Sequence, residues 1–421
     1  MTGNVSAITT PTAYVHARLI DGTGQSPIDD ATVVVEDDTI TYAGPAPGAP
    51  ELPPAHRMVD LAGRTLLPGF IDSHVHLGYQ DASKLVLNNL DIHRSLWAFE
   101  VAERAQRTLD AGVTSVRDLG GLDAGFRSAQ ARGLLRAPRL QVAVRIMSHT
   151  GGHADFRLPT GVNLHELPGS AAEIVDTVAE ARIGARRLMR DGADVIKVCA
   201  TGGVSSPSDT PDDEGLTVEE IAAIADEAGR HGGRPVAAHA QGAAGIRNAV
   251  RGGVSSIEHG YLVDDQGIDL MLERGTYLVP TLSTFVGYHE RKHLLPIEAY
   301  NAKRAMEERA FACVSEAIRR GVRVAMGTDA GISVHGTNLT ELAQLVEVGM
   351  TPMAAISAGT LHAATLLGVA DRLGTVQAGM LADLVACDGD PLQDIGVLAD
   401  PANVALVVQN GQVVKGALGA P

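Results

Sequence analysis

Aromatic residues make up only 3% of this 421-residue chain, with a single tryptophan. Alanine, valine, leucine and glycine must therefore fill the interior, which suits helices packed tightly on a sheet. Cysteine is scarce too: Cys199, Cys313 and Cys387 lie far apart, are odd in number and form no CxxC pair. That excludes a disulfide framework and reads as a reduced, cytoplasmic protein. Positive charge is in deficit, with 34 Lys and Arg against 50 Asp and Glu and a formal net charge of −16. A surface of that sign argues against nucleic acid or an anionic membrane as the main partner. It leaves a small-molecule substrate open, because one pocket can differ in sign from the whole surface. No apolar run approaches the roughly 20 residues of a membrane span. The opening MTGNVSAITTPTAYVHARL has no basic segment followed by a long apolar one, so no signal peptide is expected.

What is present is a change of pattern along the chain. Residues 12–65 read as short strands and turns, punctuated by Asp21-Gly22 and Gly44-Pro45. The C-terminal stretch is similar, and Asn410-Gly411 is a strong hairpin signal. The two ends, 1–65 and 371–421, are expected to build one small β-sandwich domain. Between them, over 66–370, eight apolar runs alternate with amphipathic segments: 66–76, 114–120, 140–147, 194–200, 235–240, 255–260, 276–282 and 322–330. Thr217 to Glu220 reads as a capping box opening one of the intervening helices. Eight such units predict a (β/α)8 TIM-like barrel, with a doubly wound open sheet as the competing α/β arrangement.

Functional residues of a barrel gather at the C-terminal ends of its strands. The first run ends in His74-Val75-His76, the fourth carries Lys197, the fifth ends at His239, the sixth at His259 and the eighth at Asp329. Side chains i and i+2 of a strand share a face, so His74 and His76 can grip one metal ion together. His239 and His259 can grip a second, and imidazole with carboxylate suits Zn²⁺ or its first-row neighbours. Asp329 can both ligate and take a proton. Lys197 is the odd member, because a protonated amine beside cations is repelled. Burial and nearby metals lower a lysine's pKa, and a neutral amine can add CO2 to give an N6-carboxylysine, an anion shaped to bridge two metals.

PGFIDSHVH, DVIKVCATGG, AAHA, IEHG and GTDAG resemble the amidohydrolase superfamily of metal-dependent hydrolases over nearly the whole chain. SHTGGHAD (148–155), HGYLVDD (259–265) and GTDAGISVHGTNLTEL (327–342) resemble its imidazolonepropionase-like and prolidase-like group. That group includes dinuclear zinc enzymes that remove C-terminal residues from dipeptides or N-acyl amino acids, and ochratoxin-type amidases. The resemblance implies His74 and His76 as ligands of one metal, His239 and His259 of the other, Lys197 as the carboxylated bridge and Asp329 as the catalytic aspartate. The implied activity is amide hydrolysis by a metal-bridging hydroxide with Asp329 shuttling the proton. Imidazolonepropionases proper use one metal and lack the bridging lysine, so a cyclic-amide hydrolase ranks second. A non-catalytic barrel scaffold is the third alternative.

Outside this set, His149 and His153 flank a glycine pair after the third strand and are candidates for substrate contact, with His149 favoured for an oxyanion or carboxylate. Tyr261 follows His259 closely enough to bring a hydroxyl to the pocket, and His335 is a candidate for its mouth. Asp118 ends the second strand, where Arg117 or a helix N-terminus is an equal claimant. The acidic loop 201–215 reads foremost as solvated charge, and Arg291 and Lys292 as a solvated helix face. A homo-oligomer is possible, though no interface signal stands out.

Overall fold

The computed structural model describes residues 11–79, 92–158, 160–167, 169–204, 209–286, 288 and 297–416. Five strands open the chain: β1 (Thr12–Leu19), β2 (Ile28–Glu36), β3 (Thr39–Pro45), β4 (Arg57–Asp60) and β5 (Thr65–Pro68). The central region follows with β6 (Phe70–Val75), β7 (Val113–Asp118), β8 (Arg139–Val142), β9 (Ile146–Ser148), β10 (Ala172–Ile174), β11 (Ile196–Cys199), β12 (Val236–Ala240), β13 (Ser256–His259) and β14 (Tyr277–Val279). The chain closes with β15 (Leu384–Cys387), β16 (Val404–Gln409) and β17 (Gln412–Lys415).

Both ends of the chain meet in one sheet of eight strands, ordered β17-β16-β15-β5-β1-β2-β3 with β4 also on β1. Where the sequence predicts a sandwich, strand pairing joins both ends in this one sheet, which extends past residue 65 to take in β5. Asn410 and Gly411 both have positive φ, 50° and 72°, and turn β16 into β17. This is the primed geometry that matches the twist of a two-residue hairpin. Tyr14, Val33, Leu66, Leu384 and Leu406 form part of a hydrophobic cluster of the sheet's own, distinct from the one in the centre of the chain.

The central strands run parallel, in a three-stranded sheet β6-β7-β8 and a six-stranded sheet β10-β9-β11-β12-β13-β14. Every residue of β6, β7, β11, β12 and β13 is buried, as expected of parallel strands covered on both faces. Helices α1 (Arg94–Asp110), α2 (Ala124–Ala131), α3 (Val178–Arg190), α4 (Val218–Arg230), α5 (Ala243–Arg251) and α6 (Asp265–Arg274) separate them. α7 (Ile297–Arg319) and α8 (Thr340–Glu347) flank the eighth apolar run. The Thr217 capping box is formed, and Ile221, Ile224 and Ala228 then bury one stripe of α4.

Three of the predicted strands depart from expectation, the first being the run 66–76, which divides at Gly69 into β5 of the terminal sheet and β6 of the central one. The run 140–147 divides into β8 and β9 because Val144 turns to a left-handed φ of 66°. The run 322–330 forms no regular strand and lies between β14 and β6, joined to each by an isolated bridge, Leu278 to Val324 and Val75 to Ala330. Its ladder is interrupted because Asp72 takes the Thr328 backbone N–H (3.1 Å) and because Asp329 has φ 54°. Strand pairing therefore shows a mixed α/β fold in two parallel sheets, without a continuous closed ladder. Among the described residues no helix is long and apolar enough to cross a membrane.

Candidate active site

The C-terminal ends of the parallel strands converge on one cavity that opens to solvent. His74, His76, Lys197, His239, His259 and Asp329 all reach its wall, although 255 residues separate the first from the last. The rings of His74 and His76 are 5.2 Å apart, those of His74 and His259 5.1 Å, and those of His239 and His259 4.6 Å. Asp329 Oδ1 sits 3.5 Å from His74 Nε2 and 3.4 Å from His76 Nε2. Donor atoms of His74, His259 and Asp329 lie within 4.8 Å of one another. The two histidine pairs thus share one locus with Asp329 between them.

Each imidazole is held through one nitrogen. His74 Nδ1 is 2.8 Å from Glu258 Oε2, and His76 Nδ1 is 2.9 Å from the Gly120 carbonyl. His259 Nδ1 is 2.8 Å from Thr281 Oγ1, and His239 Nε2 is 3.0 Å from the Gly202 carbonyl. The opposite nitrogens of His74 and His76 meet each other, Nε2 to Nε2 at 3.3 Å, and a cation would take the place of that contact; fixing one nitrogen of a ring is what outer partners do for metal-binding histidines. Burial holds all four well below the ordinary histidine range, His76 at about 3. They are neutral near pH 7, as ligation requires.

The supports run deeper. Glu258 Oε1 accepts from Arg117 Nη2 (2.9 Å) and Ser256 Oγ (2.5 Å), and Arg117 Nε also donates to the Ser73 carbonyl (2.6 Å). Arg117 and Glu258 are fully buried, so this ion pair has no competition from water. Asp72 accepts from the backbone N–H of both His74 and Thr328 (3.1 Å each), from Thr328 Oγ1 (2.6 Å) and from Asn338 Nδ2 (2.8 Å). One carboxylate thereby fixes the segments that carry His74 and Asp329. Three non-glycine residues here, His259, Thr281 and Asp329, have positive φ of 71°, 52° and 54°. A β-branched threonine in that region costs about 1–3 kcal/mol, and its surroundings hold it there to pair with both His259 and Tyr261.

Lys197 is 2% exposed, and its Nζ has no hydrogen-bond partner. Burial lowers its pKa, while the Glu258 charge opposes the shift. An orphaned amine of this kind, ringed by imidazoles and a carboxylate, is what CO2 addition and metal bridging would complete. The donor set therefore fits divalent cations. Burial raises Asp329 to about 7, against the opposing charges of Lys197 and Lys303. Burial also pushes the Cys199 thiol up to about 12, so this cavity-lining cysteine carries no thiolate near pH 7.

The second rank divides. His153 lines the cavity, stacks on His239 at 4.2 Å and pairs with Asp209 at 3.1 Å. Tyr261 also lines it, with its hydroxyl 3.0 Å from both Thr281 Oγ1 and Thr284 Oγ1. His149 is not among the lining residues; its Nδ1 is 2.9 Å from the Thr150 carbonyl. His335 is buried behind the wall, with Nε2 3.0 Å from the Tyr79 carbonyl, rather than at the mouth. Asp118 accepts from the Leu77 N–H at 2.8 Å and the Gly120 N–H at 3.1 Å, and Arg117 turns instead to Glu258. In the acidic loop, Asp209 accepts from the Gly203 N–H (2.7 Å) and Asp213 from the Thr210 N–H (2.7 Å), so these charges fold the loop itself. Arg291 and Lys292 lie outside the described residues. Sequence reasoning missed Asp72, Glu258, Thr281 and Lys303; Asp72 was within reach, two residues before His74 on the same face of β6.

This chain belongs to the amidohydrolase family, whose profile matches residues 65–414. It is 33% identical to an ochratoxinase of Aspergillus niger over 422 residues, covering 94% of this chain and 85% of that one. A solved Xaa-Pro dipeptidase with bound methionine in the active site is 34% identical and superposes with a TM-score of 0.88, over 97% of this chain and 100% of that one. An imidazolonepropionase of Methylobacterium nodulans is 26% identical, over 86% of this chain and 88% of that one. Such neighbours place the fold among TIM-barrel proteins with a separate domain, and the family supports hydrolysis of amide or peptide bonds.

Proposed function

We propose that the protein is a metal-dependent amidohydrolase that cleaves the amide bond of a dipeptide or N-acyl amino acid and releases the C-terminal amino acid. The observation that carries this reading is the set of four neutral histidines, each supported through one nitrogen, around Asp329 and a Lys197 whose Nζ has no hydrogen-bond partner. His74 and His76 would hold one zinc ion, His239 and His259 a second, and Lys197 as an N6-carboxylysine would bridge them. Bound there, two such cations supply an acidified water and polarise the scissile carbonyl. Asp329 then accepts a proton from the attacking water and returns it to the departing amine nitrogen. Tyr261 and His153, on the cavity wall, contact the substrate; His149 would join them only by reaching in from outside the wall, and His335 would act through Tyr79.

In the same reading the two parallel sheets are arcs of one (β/α)8 barrel over 66–370, closed by the 322–330 segment between β14 and β6. Residues 1–65 and 371–421 form the second domain, supported by its separate hydrophobic cluster.

A panel of dipeptides, N-acyl amino acids, ochratoxin-like amides and imidazolone propionate, offered to zinc-reconstituted protein in bicarbonate, tests the function. Release of a free amino acid by wild type and not by Asp329→Asn is expected. Turnover of imidazolone propionate alone would replace the proposal with a cyclic-amide hydrolase.

A further inference from the structure

Tyr79 lies just beyond His76 and lines the same cavity, its ring 5.3 Å from that of His76. Residues 77–79 follow the end of β6, where strand pairing no longer fixes the backbone. Side chains from two other parts of the chain take over. The Leu77 carbonyl accepts from Arg104 Nε at 2.8 Å and the Gly78 carbonyl from Trp97 Nε1 at 2.9 Å, both donors being on α1. His335 Nε2, in the loop before α8, lies 3.0 Å from the Tyr79 carbonyl. Three successive carbonyls are thus each held by a side chain, and the Tyr79 N–H donates to the His76 carbonyl at 3.0 Å. Gly78 packs so closely on Gly121 that a Cβ there would lie 3.2 Å from the Gly121 carbonyl carbon. A backbone held at this many points fixes the place of the ring it carries.

Among the described residues the Tyr79 hydroxyl has no hydrogen-bond partner, although the residue is only 7% exposed. Burial raises its pKa, with Asp118 and Asp329 adding to the effect, so the hydroxyl keeps its proton and can donate. The tip of the ring lies over Gly121, 3.8 Å from the place a Cβ would take. At the neighbouring Gly120 a Cβ would meet Ile146 Cγ1 at 2.6 Å. A Cβ on Gly331 would be 3.3 Å from Tyr79 Cβ, and Ile332 follows in the chain. Ile146 and Ile332 both line the cavity, so the Tyr79 end is an apolar corner with one donor. His153 and Tyr261 stand at the other histidine pair, the first stacked on His239 at 4.2 Å and the second 5.4 Å from His259. An anion at Tyr79 would lose its water while facing Asp118 and Asp329. A neutral apolar group meets no such penalty there.

We propose that Tyr79, with Ile146 and Ile332, forms the subsite for the acyl half of the substrate, so that this chain prefers an uncharged aromatic acyl group, and that the Tyr79 hydroxyl donates to an acceptor carried on that group. The assignment rests on the amidohydrolase reading and names the half of the substrate that this corner recognises. Tyr79 is the specificity-determining residue. Trp97, Arg104 and His335 are positioning residues that act on it through the carbonyls of 77–79.

The test uses the zinc-reconstituted full chain and amides that share one leaving amino acid: N-benzoyl-, N-acetyl- and N-succinyl-L-phenylalanine. Wild type is expected to prefer the benzoyl over the succinyl amide by about 10-fold or more in kcat/KM. Tyr79→Ala should lower kcat/KM for the benzoyl amide by about 10-fold and leave the acetyl amide, whose acyl group is too short to reach the ring, within about threefold. The acetyl amide thereby reports any folding defect. Trp97→Phe, which keeps a ring and loses the N–H, should raise KM for the benzoyl amide by about threefold with kcat unchanged. Among methoxybenzoyl isomers and their methylbenzoyl counterparts, methoxy should be preferred at one ring position by about fivefold, a preference lost in Tyr79→Phe. An equal loss for benzoyl and acetyl amides in Tyr79→Ala, or a succinyl amide cleaved as well as the benzoyl one, would overturn the subsite and leave the reaction standing. A methoxy preference at no position, or one that survives Tyr79→Phe, would overturn the hydroxyl contact. If no amide is hydrolysed, calorimetry decides: tighter binding of the benzoyl than the acetyl amide, lost in Tyr79→Ala, would support the subsite and overturn the reaction, and equal binding would overturn both.

Discussion

Glu258 illustrates how a side chain that touches no substrate can govern a site. It ties His74 Nδ1 at 2.8 Å and Arg117 Nη2 at 2.9 Å, so it sets which nitrogen of His74 is free and keeps a buried guanidinium neutralised. Glu258→Gln is expected to weaken zinc binding by about 10- to 100-fold, as loss of such supporting partners does. It should also destabilise the fold by about 3 kcal/mol by leaving Arg117 buried without its counter-charge. Zinc titration monitored by a chromophoric chelator and urea unfolding measure the two effects. Lys197→Ala should lower the zinc content of protein purified in bicarbonate, and short carboxylic acids should restore part of it by taking the place of the carbamate. Metal analysis by mass spectrometry checks this, and unchanged zinc content would remove Lys197 from the site.

The segment 322–330 shows how much depends on small contacts between elements. Gly327 packs against β14 and β6 so closely that a Cβ there would lie 2.3 Å from Val279 Cγ1 and 2.9 Å from His74 Cβ. Gly327→Ala should push the segment off β6 and displace Asp329, lowering kcat by about 100-fold, the scale of a 1 Å misplacement. Circular dichroism should show the secondary structure retained. Glu341 of α8 accepts from the N–H groups of Leu282 (2.9 Å) and Ser283 (2.6 Å), holding the turn after β14. Burial raises its pKa from 4.5 to about 8. The folded chain binds that proton more tightly than the unfolded chain, so the contribution is fully present below 4.5 and is lost as pH rises through about 8. Glu341→Gln should therefore flatten the decline of the urea midpoint across that window.

Legibility of the elements followed their regularity. The runs that became β6, β7, β11, β12 and β13 were readable because each is a short apolar stretch between turn signals and fully buried. Five of the six candidate ligands were readable because they lie in or just past those runs, and Asp329 because it comes late in the apolar run 322–330. The division at Val144 and the bridging of 322–330 were not, because they depend on local left-handed conformations at Val144 and Asp329 that tertiary contacts impose. The supports were hidden for a related reason: Arg117 and Glu258 are 141 residues apart, and Asp72 and Asn338 are 266 apart, so no local pattern joins them.

Across the whole molecule, the ends of the chain stabilise the centre. Arg139 of β8 pairs through both terminal nitrogens with Asp383, next to β15, and Gln409 of β16 donates to the Thr114 carbonyl of β7 at 2.9 Å. Asp383 is only 4% exposed, so Arg139→Ala should cost about 2 kcal/mol, read as a shift in the urea midpoint. In the proposed reading, this scaffold gathers metal ligands from distant strands to hydrolyse the amide of an N-acyl amino acid or dipeptide. Its most direct test is amino-acid release by chelator-stripped protein as zinc is added back. The expected result is negligible release without metal and a rise that saturates at two zinc ions per chain, absent in Asp329→Asn. Full release by the stripped protein, or two bound zinc ions with no amino acid released from any member of the panel, would contradict it.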